Sequence, residues 1–146
     1  MLKNRSTTPC LGICSTTYGD DVCKGCKRFV HEIINWPKYS MDERAIVNDR
    51  LEEFKLLILK ERFKVVDKDL FALKLKENAI NYNNSLDPLT WIFDLLRASG
   101  SQNLDLAQFG ITSLQSFDFT TIKDELNNEM LELSKAHHER YFKNLS

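Results

Sequence analysis

Apolar residues recur at helical spacing along most of this chain, and polar stretches with turn residues separate the runs. Phe29, Val30, Ile33 and Ile34 fall on one face of a helix that the pattern carries back to Cys26, and Pro37 ends it just after Trp36. Ser40-Met41-Asp42-Glu43 then reads as a capping box, with Ser40 as N-cap and Glu43 reaching back to it. The helix it opens carries Val47, Leu51, Phe54 and Ile58 on one stripe and is expected to run to about Lys60. Asp49, Arg50, Glu52, Glu53 and Lys55 form its charged outer face.

Farther along, Phe63–Val66 is compatible with a short strand or with more helix. Asp67 and Asp69 precede Leu70, Phe71 and Leu73, which suits helix capping better than a carboxylate pair for acid–base work. Asn81–Ser85 reads as a loop, and then come Asp87 as N-cap, Pro88 as first helical residue and Gly100 as C-terminal glycine. Leu89, Trp91, Ile92, Phe93, Leu95 and Leu96 make that segment apolar nearly all round, so it should centre a core. Phe109-Gly110-Ile111 is expected to be an ordered loop. A last helix begins near Thr120 or Thr121, striped by Ile122, Leu126, Met130, Leu133, His137 and Tyr141. The Trp91 helix and this one should pack together, burying Trp91 and Leu126.

Composition changes this picture little. The chain has 146 residues, 42% hydrophobic and 28% charged, with a formal net charge of -1, which suits a folded protein and argues against a charge-driven nucleic-acid or membrane binder. The opening MLKNRSTTPC lacks the apolar run of a secretory signal. No window approaches the ~18 apolar residues of a membrane span. A cytoplasmic location is expected.

The cysteines matter more. All four stand in one stretch, Cys10, Cys14, Cys23 and Cys26, spaced C-x3-C-x8-C-x2-C. In a reducing compartment such a cluster favours metal ligation over disulfides. Gly12 and Gly25 lie inside the two pairs, where a glycine can take positive φ and turn backbone N–H groups toward thiolate sulfur. Tyr18-Gly19-Asp20 is a turn that folds one pair toward the other. Cys26 at a helix N-terminus would gain from the helix dipole. Lys24, Lys27 and Arg28 offset thiolate charge more simply than they make a nucleic-acid patch. His31 is read as a packing or surface residue, since four thiolates complete a tetrahedral shell, and Glu32 as a solvated group or salt-bridge partner. His137 and His138 diverge by about 100° on a helix and so do not readily share an ion.

Pro9-Cys10, Cys14, Cys23-Lys24-Gly25-Cys26-Lys27-Arg28, His31-Glu32-Ile33, Trp36, Ser40 and Glu43-Arg44 together resemble the signature of a bacterial family of unknown function. Its members are small four-cysteine proteins, described as predicted Fe–S proteins of the YdhL type. The resemblance covers about residues 9–55 and implies a metal centre at Cys10, Cys14, Cys23 and Cys26, with an Fe–S cluster as the family-based expectation. Cysteine spacing leans instead toward zinc. No catalytic residues come with the resemblance, and no Gly-rich phosphate loop, nucleophile elbow or H-E-x-x-H occurs.

The expected fold is mainly α: a flexible tail over 1–8, a four-cysteine metal-binding loop module with two helices over 9–60, and a helical extension over 61–146. The function expected is that of a non-enzymatic interaction or accessory module with a protein partner. An Fe–S redox or oxidant-sensing protein is the alternative, and a zinc-knuckle-like nucleic-acid binder a weaker one.

Overall fold

The computed structural model describes Pro9, residues 14–99 and residues 102–142. Cys10, Gly12, Gly100 and the expected tail over residues 1–8 lie outside the described residues. The protein is mainly helical, as the patterning predicts. Its helices are α1 (Val30–Asn35), α2 (Met41–Leu59), α3 (Lys68–Glu77), α4 (Trp91–Ser99) and α5 (Ile122–Tyr141). Two short strands, β1 (Phe63–Val65) and β2 (Ile111–Ser113), pair antiparallel with Phe63 opposite Ser113 and Val65 opposite Ile111. No helix among the described residues is long and apolar enough to cross a membrane.

The chain divides into two compact units. One is Lys55–Asn127; the other joins the described parts of Asn4–Phe54 and Asn128–Ser146. Most of α5 falls in the unit that holds the cysteines.

The Lys55–Asn127 unit is organised by burial. Phe71 and Leu75 present one face of α3, and Trp91, Ile92, Leu95 and Leu96 present one face of α4. They share a core with Leu59, Phe63, Phe109, Ile111, Ile122 and Leu126. Trp91 and Leu126 are thus both buried in it, as expected. α4 is less uniformly apolar than its sequence suggests, since Phe93 and Asp94 are only partly covered and Arg97 is exposed. Buried Trp91 still finds a partner for its indole N–H in the Asn83 carbonyl, at 2.8 Å.

The caps read from the sequence form. Ser40 Oγ accepts the Glu43 N–H at 3.1 Å while the Glu43 carboxylate accepts the Ser40 N–H at 3.0 Å. Asp67 accepts from Leu70 N–H, which makes it the α3 N-cap. Asp87 caps a short 3-10 turn, Pro88–Thr90, that leads into α4.

Phe109-Gly110-Ile111 is not a plain loop. A 3-10 turn over Leu106–Phe109 ends at Gly110, and Ile111 starts β2. Gly110 has φ of +71, and a Cβ there would stand 2.5 Å from the Asp67 carbonyl oxygen. Its own carbonyl accepts N–H groups from both Val66 and Asp67. Only glycine lets the two backbones approach so closely.

Candidate metal centre

The segment before the second cysteine pair folds into a 3-10 turn, Ser15–Tyr18, closed by Gly19 in the left-handed region at φ 97. A hairpin-like loop follows. Val22 and Phe29 form an isolated antiparallel bridge; Cys23 N–H donates to Arg28 O at 2.9 Å and Lys27 N–H to Cys23 O at 2.9 Å. These bonds put Cys23 and Cys26 in one tight turn. The left-handed residue in that turn is Lys27, at φ 67, and Gly25 does not take positive φ. Lys27 is almost fully buried and its ammonium donates to the Gly25 carbonyl at 2.7 Å, a bond that helps hold an otherwise disfavoured backbone.

The helix expected from Cys26 starts only at Val30, so Cys26 is not at a helix N-terminus. The physical reason lies in the loop: the Cys23–Arg28 and Val22–Phe29 pairings hold residues 26–29 out of helical geometry. Arg28 supplies positive charge instead. Its Nε donates to Cys26 Sγ at 3.3 Å, and its guanidinium lies 4.8 Å from the centre of the Trp36 ring. Lys24 faces Asp20 at 3.9 Å rather than a sulfur.

Electrostatics single out Cys23. It is 1% exposed, and that burial raises its pKa. Backbone N–H groups of Cys26, Ser15 and Gly25, helped by the Cys26 thiol, more than offset the burial and bring it from 9.0 down to about 7. Cys26 behaves oppositely: burial pushes its thiol up against the pull of Arg28, and the neighbouring Cys23 adds to the rise. Two adjacent sulfurs with N–H donors aimed at them suit a bound cation. Cys14 shares a 2.8 Å hydrogen bond between its Sγ and Thr16 Oγ1. Ser15 ties this segment to the second pair, since its N–H serves Cys23 and its Oγ accepts Lys24 N–H at 2.8 Å.

The structure therefore brings Cys23 and Cys26 together and sets the Cys14 segment beside them. Cys14, Cys23 and Cys26 are unbridged thiols, and Cys10 lies outside the described residues. Among the described residues no three His, Cys, Asp or Glu side chains gather closely enough to hold a metal ion. The donor chemistry of the second pair still fits a metal thiolate centre: soft sulfur ligands, N–H donors and one guanidinium to offset their charge.

What holds this loop was not evident from the sequence. Phe29 is fully buried against Val22, Leu131 and Phe142, with the rings of His31, His137 and His138 around it. The Arg50 guanidinium covers Phe29 at 4.1 Å from the ring centre. Glu32, buried rather than solvated, accepts Phe29 N–H at 2.8 Å and binds Arg50 in bidentate fashion at 2.5 and 2.8 Å. One carboxylate thus fixes the loop's exit and anchors it to α2. Trp36 packs with Val47, Leu51 and Tyr39, and Arg44 Nε donates to its carbonyl at 3.0 Å. Ile34, expected on the apolar face, is exposed.

Comparison with known proteins agrees with the resemblance carried by the motif. Residues 8–55 match the family model described as Protein of unknown function (DUF1289). The match takes in all four cysteines, Trp36 and the Ser40–Glu43 cap. No curated protein and no solved structure matches the chain.

Proposed function

We propose that this chain is a small metal-binding protein in which Cys10, Cys14, Cys23 and Cys26 hold one centre, an Fe–S cluster or a zinc ion. It would act as a non-enzymatic accessory module for a protein partner. The observation that supports this reading is the N–H cradle at Cys23, which lowers the thiol to about 7 although the residue is buried. An inert core cysteine has no use for three N–H donors. Because Ser15 N–H serves the Cys23 sulfur, the Cys14 backbone already adjoins the second pair. Cys14 would hold the metal by giving up its hydrogen bond with the Thr16 hydroxyl. Zinc would staple the loop, whereas a cluster would add one-electron chemistry.

Metal and sulfide analysis of protein purified without oxygen tests the proposal. Brown protein that absorbs near ~400 nm and carries inorganic sulfide identifies a cluster. Colourless protein with a single bound zinc and no sulfide identifies zinc. Protein that takes up neither metal during expression or on reconstitution overturns the reading.

A further inference from the structure

A groove of about 480 Å³ opens on the Lys55–Asn127 unit, within the size range of natural ligand sites. Its apolar lining includes Phe63, Leu89 and Leu114. Leu114 is 53% exposed, so its side chain adds open apolar surface to the groove. Three cations line the same groove, Lys60, Lys64 and Lys68, against one carboxylate, Asp87. Asp87 is already engaged, accepting the Leu89 N–H at 2.9 Å. None of the three lysines has a carboxylate partner among the described residues. In a chain whose formal charge is -1, an unpaired positive rim around an apolar floor is a local specialisation.

The placement of the lysines narrows the occupant. Lys60 follows the end of α2, Lys64 is the middle residue of β1 and Lys68 opens α3. The three therefore come from three successive elements, the turn after α2, the short strand β1 and the first turn of α3, rather than from a single turn. A single-headed carboxylate could engage only part of that rim. Several negative charges spaced along a chain, with an apolar side chain between them, match it throughout.

We infer that this groove docks an acidic peptide segment of a protein partner, with one or two apolar residues seated over Leu89 and Leu114 and flanking Asp or Glu residues facing Lys60, Lys64 and Lys68. The inference rests on the reading of this chain as a partner-binding module and names where and what it binds. It is independent of the metal centre, because every residue used lies in Lys55–Asn127.

The test is selection of a random decapeptide library on the full-length chain, followed by fluorescence anisotropy with the consensus peptide. Expected sequences carry an apolar residue or pair flanked by Asp and Glu. The triple variant K60E/K64E/K68E should weaken binding ~30-fold or more, and L114D ~10-fold, while both keep the metal content and thermal midpoint of the parent chain. Raising salt from 50 to 500 mM should weaken binding several-fold. Enriched peptides without acidic residues would overturn the inference, as would affinity unchanged in the triple variant. Equal competition by an RNA oligonucleotide of the same charge, with no effect of L114D, would also overturn it by showing a mere cation-exchange surface. Loss of peptide binding together with loss of metal analysis signals in the parent chain would count against the proposed function; failure here with metal retained counts against the groove alone.

Discussion

The two compact units are built on different principles. Lys55–Asn127 has a continuous core of twelve buried apolar residues, enough to specify a fold by burial. Among the described residues, the cysteine-bearing unit has two separate clusters of three buried apolar residues each. It compensates with directed contacts: Glu32 to Arg50, Arg50 over Phe29, Arg28 to Cys26, and N–H donors on Cys23. The metal centre proposed above would add a further constraint to such a core. The difference separates a unit that stands by packing from one that stands by specific bonds.

The sharpest way to break that contrast is to remove a ligand. Metal binding at such sites contributes on the order of 10 kcal/mol to folding. Cys23→Ala should therefore abolish metal binding and strip amide protection from residues 14–36. In a Trp36→Phe background, Trp91 should remain buried and its fluorescence unchanged, because its packing and its bond to Asn83 involve only its own unit. Hydrogen exchange with fluorescence reads both. Metal retained in full by Cys23→Ala would sink the single-centre proposal, and so would retention by Cys14→Ala.

Next in size is the tie at Glu32. Glu32→Gln keeps the shape but leaves the half-buried Arg50 charge without its carboxylate, and breaking a buried pair in this way costs about 3–5 kcal/mol. The loop exit also loses its charged acceptor at Phe29 N–H. Chemical denaturation should show the loss, and metal affinity should fall with it. If Glu32→Gln denatures within about 1 kcal/mol of the parent, the directed-contact account is wrong.

In the other unit the corresponding weak point is a glycine. Gly110→Ala places a Cβ 2.5 Å from the Asp67 carbonyl at a positive φ, so the strand pair must shift. A loss of roughly 2–4 kcal/mol is expected, with metal content unchanged. Gly19, also at positive φ but with nothing near its missing Cβ, provides the contrast: Gly19→Ala should cost the backbone strain alone, about 1–2 kcal/mol. Equal losses at the two positions would show that crowding at Asp67 is not what matters.

The sequence revealed local features and missed long-range ones, for a physical reason. The Ser40–Glu43 box and the Asp67 and Asp87 caps are legible because their hydrogen bonds span two or three residues. Helical stripes are legible because burial repeats with the helix turn. The α1 start was misread because Phe29 continues the apolar stripe, while the strand-like bridge to Val22 that keeps it extended leaves no periodic trace. Glu32 and Arg50 are eighteen residues apart, and Phe29 meets Leu131 and His137 from the far end of the chain. In the candidate site, spacing singled out the cysteines, but only coordinates show Arg28 on Cys26 and the N–H groups on Cys23.

The smallest expected effect refines the comparison at the edge of the directed-contact unit. His137 stacks on Phe29 and packs edge-on against Phe54. Burial there lowers its pKa below the usual 6.5 and the Arg50 guanidinium lowers it further, against a smaller opposing pull from Glu32. The other rings around Phe29 belong to His31, His138 and Phe142. Between the depressed folded value and 6.5 the unfolded chain binds more protons than the folded one, so stability rises with pH in that window. The contribution is complete above 6.5 and is lost as pH falls through the window toward the folded value. Thermal midpoints should therefore drop between about pH 7.5 and 5.5, and His137→Phe, which keeps a ring against Phe29 but cannot charge, should flatten that slope. Comparing the two chains cancels acid effects on the thiolates, which both share. A slope in His137→Phe as steep as the parent's would mean that the Phe29 cluster tolerates a charged imidazole, and the directed contacts would then end at Glu32 and Arg50.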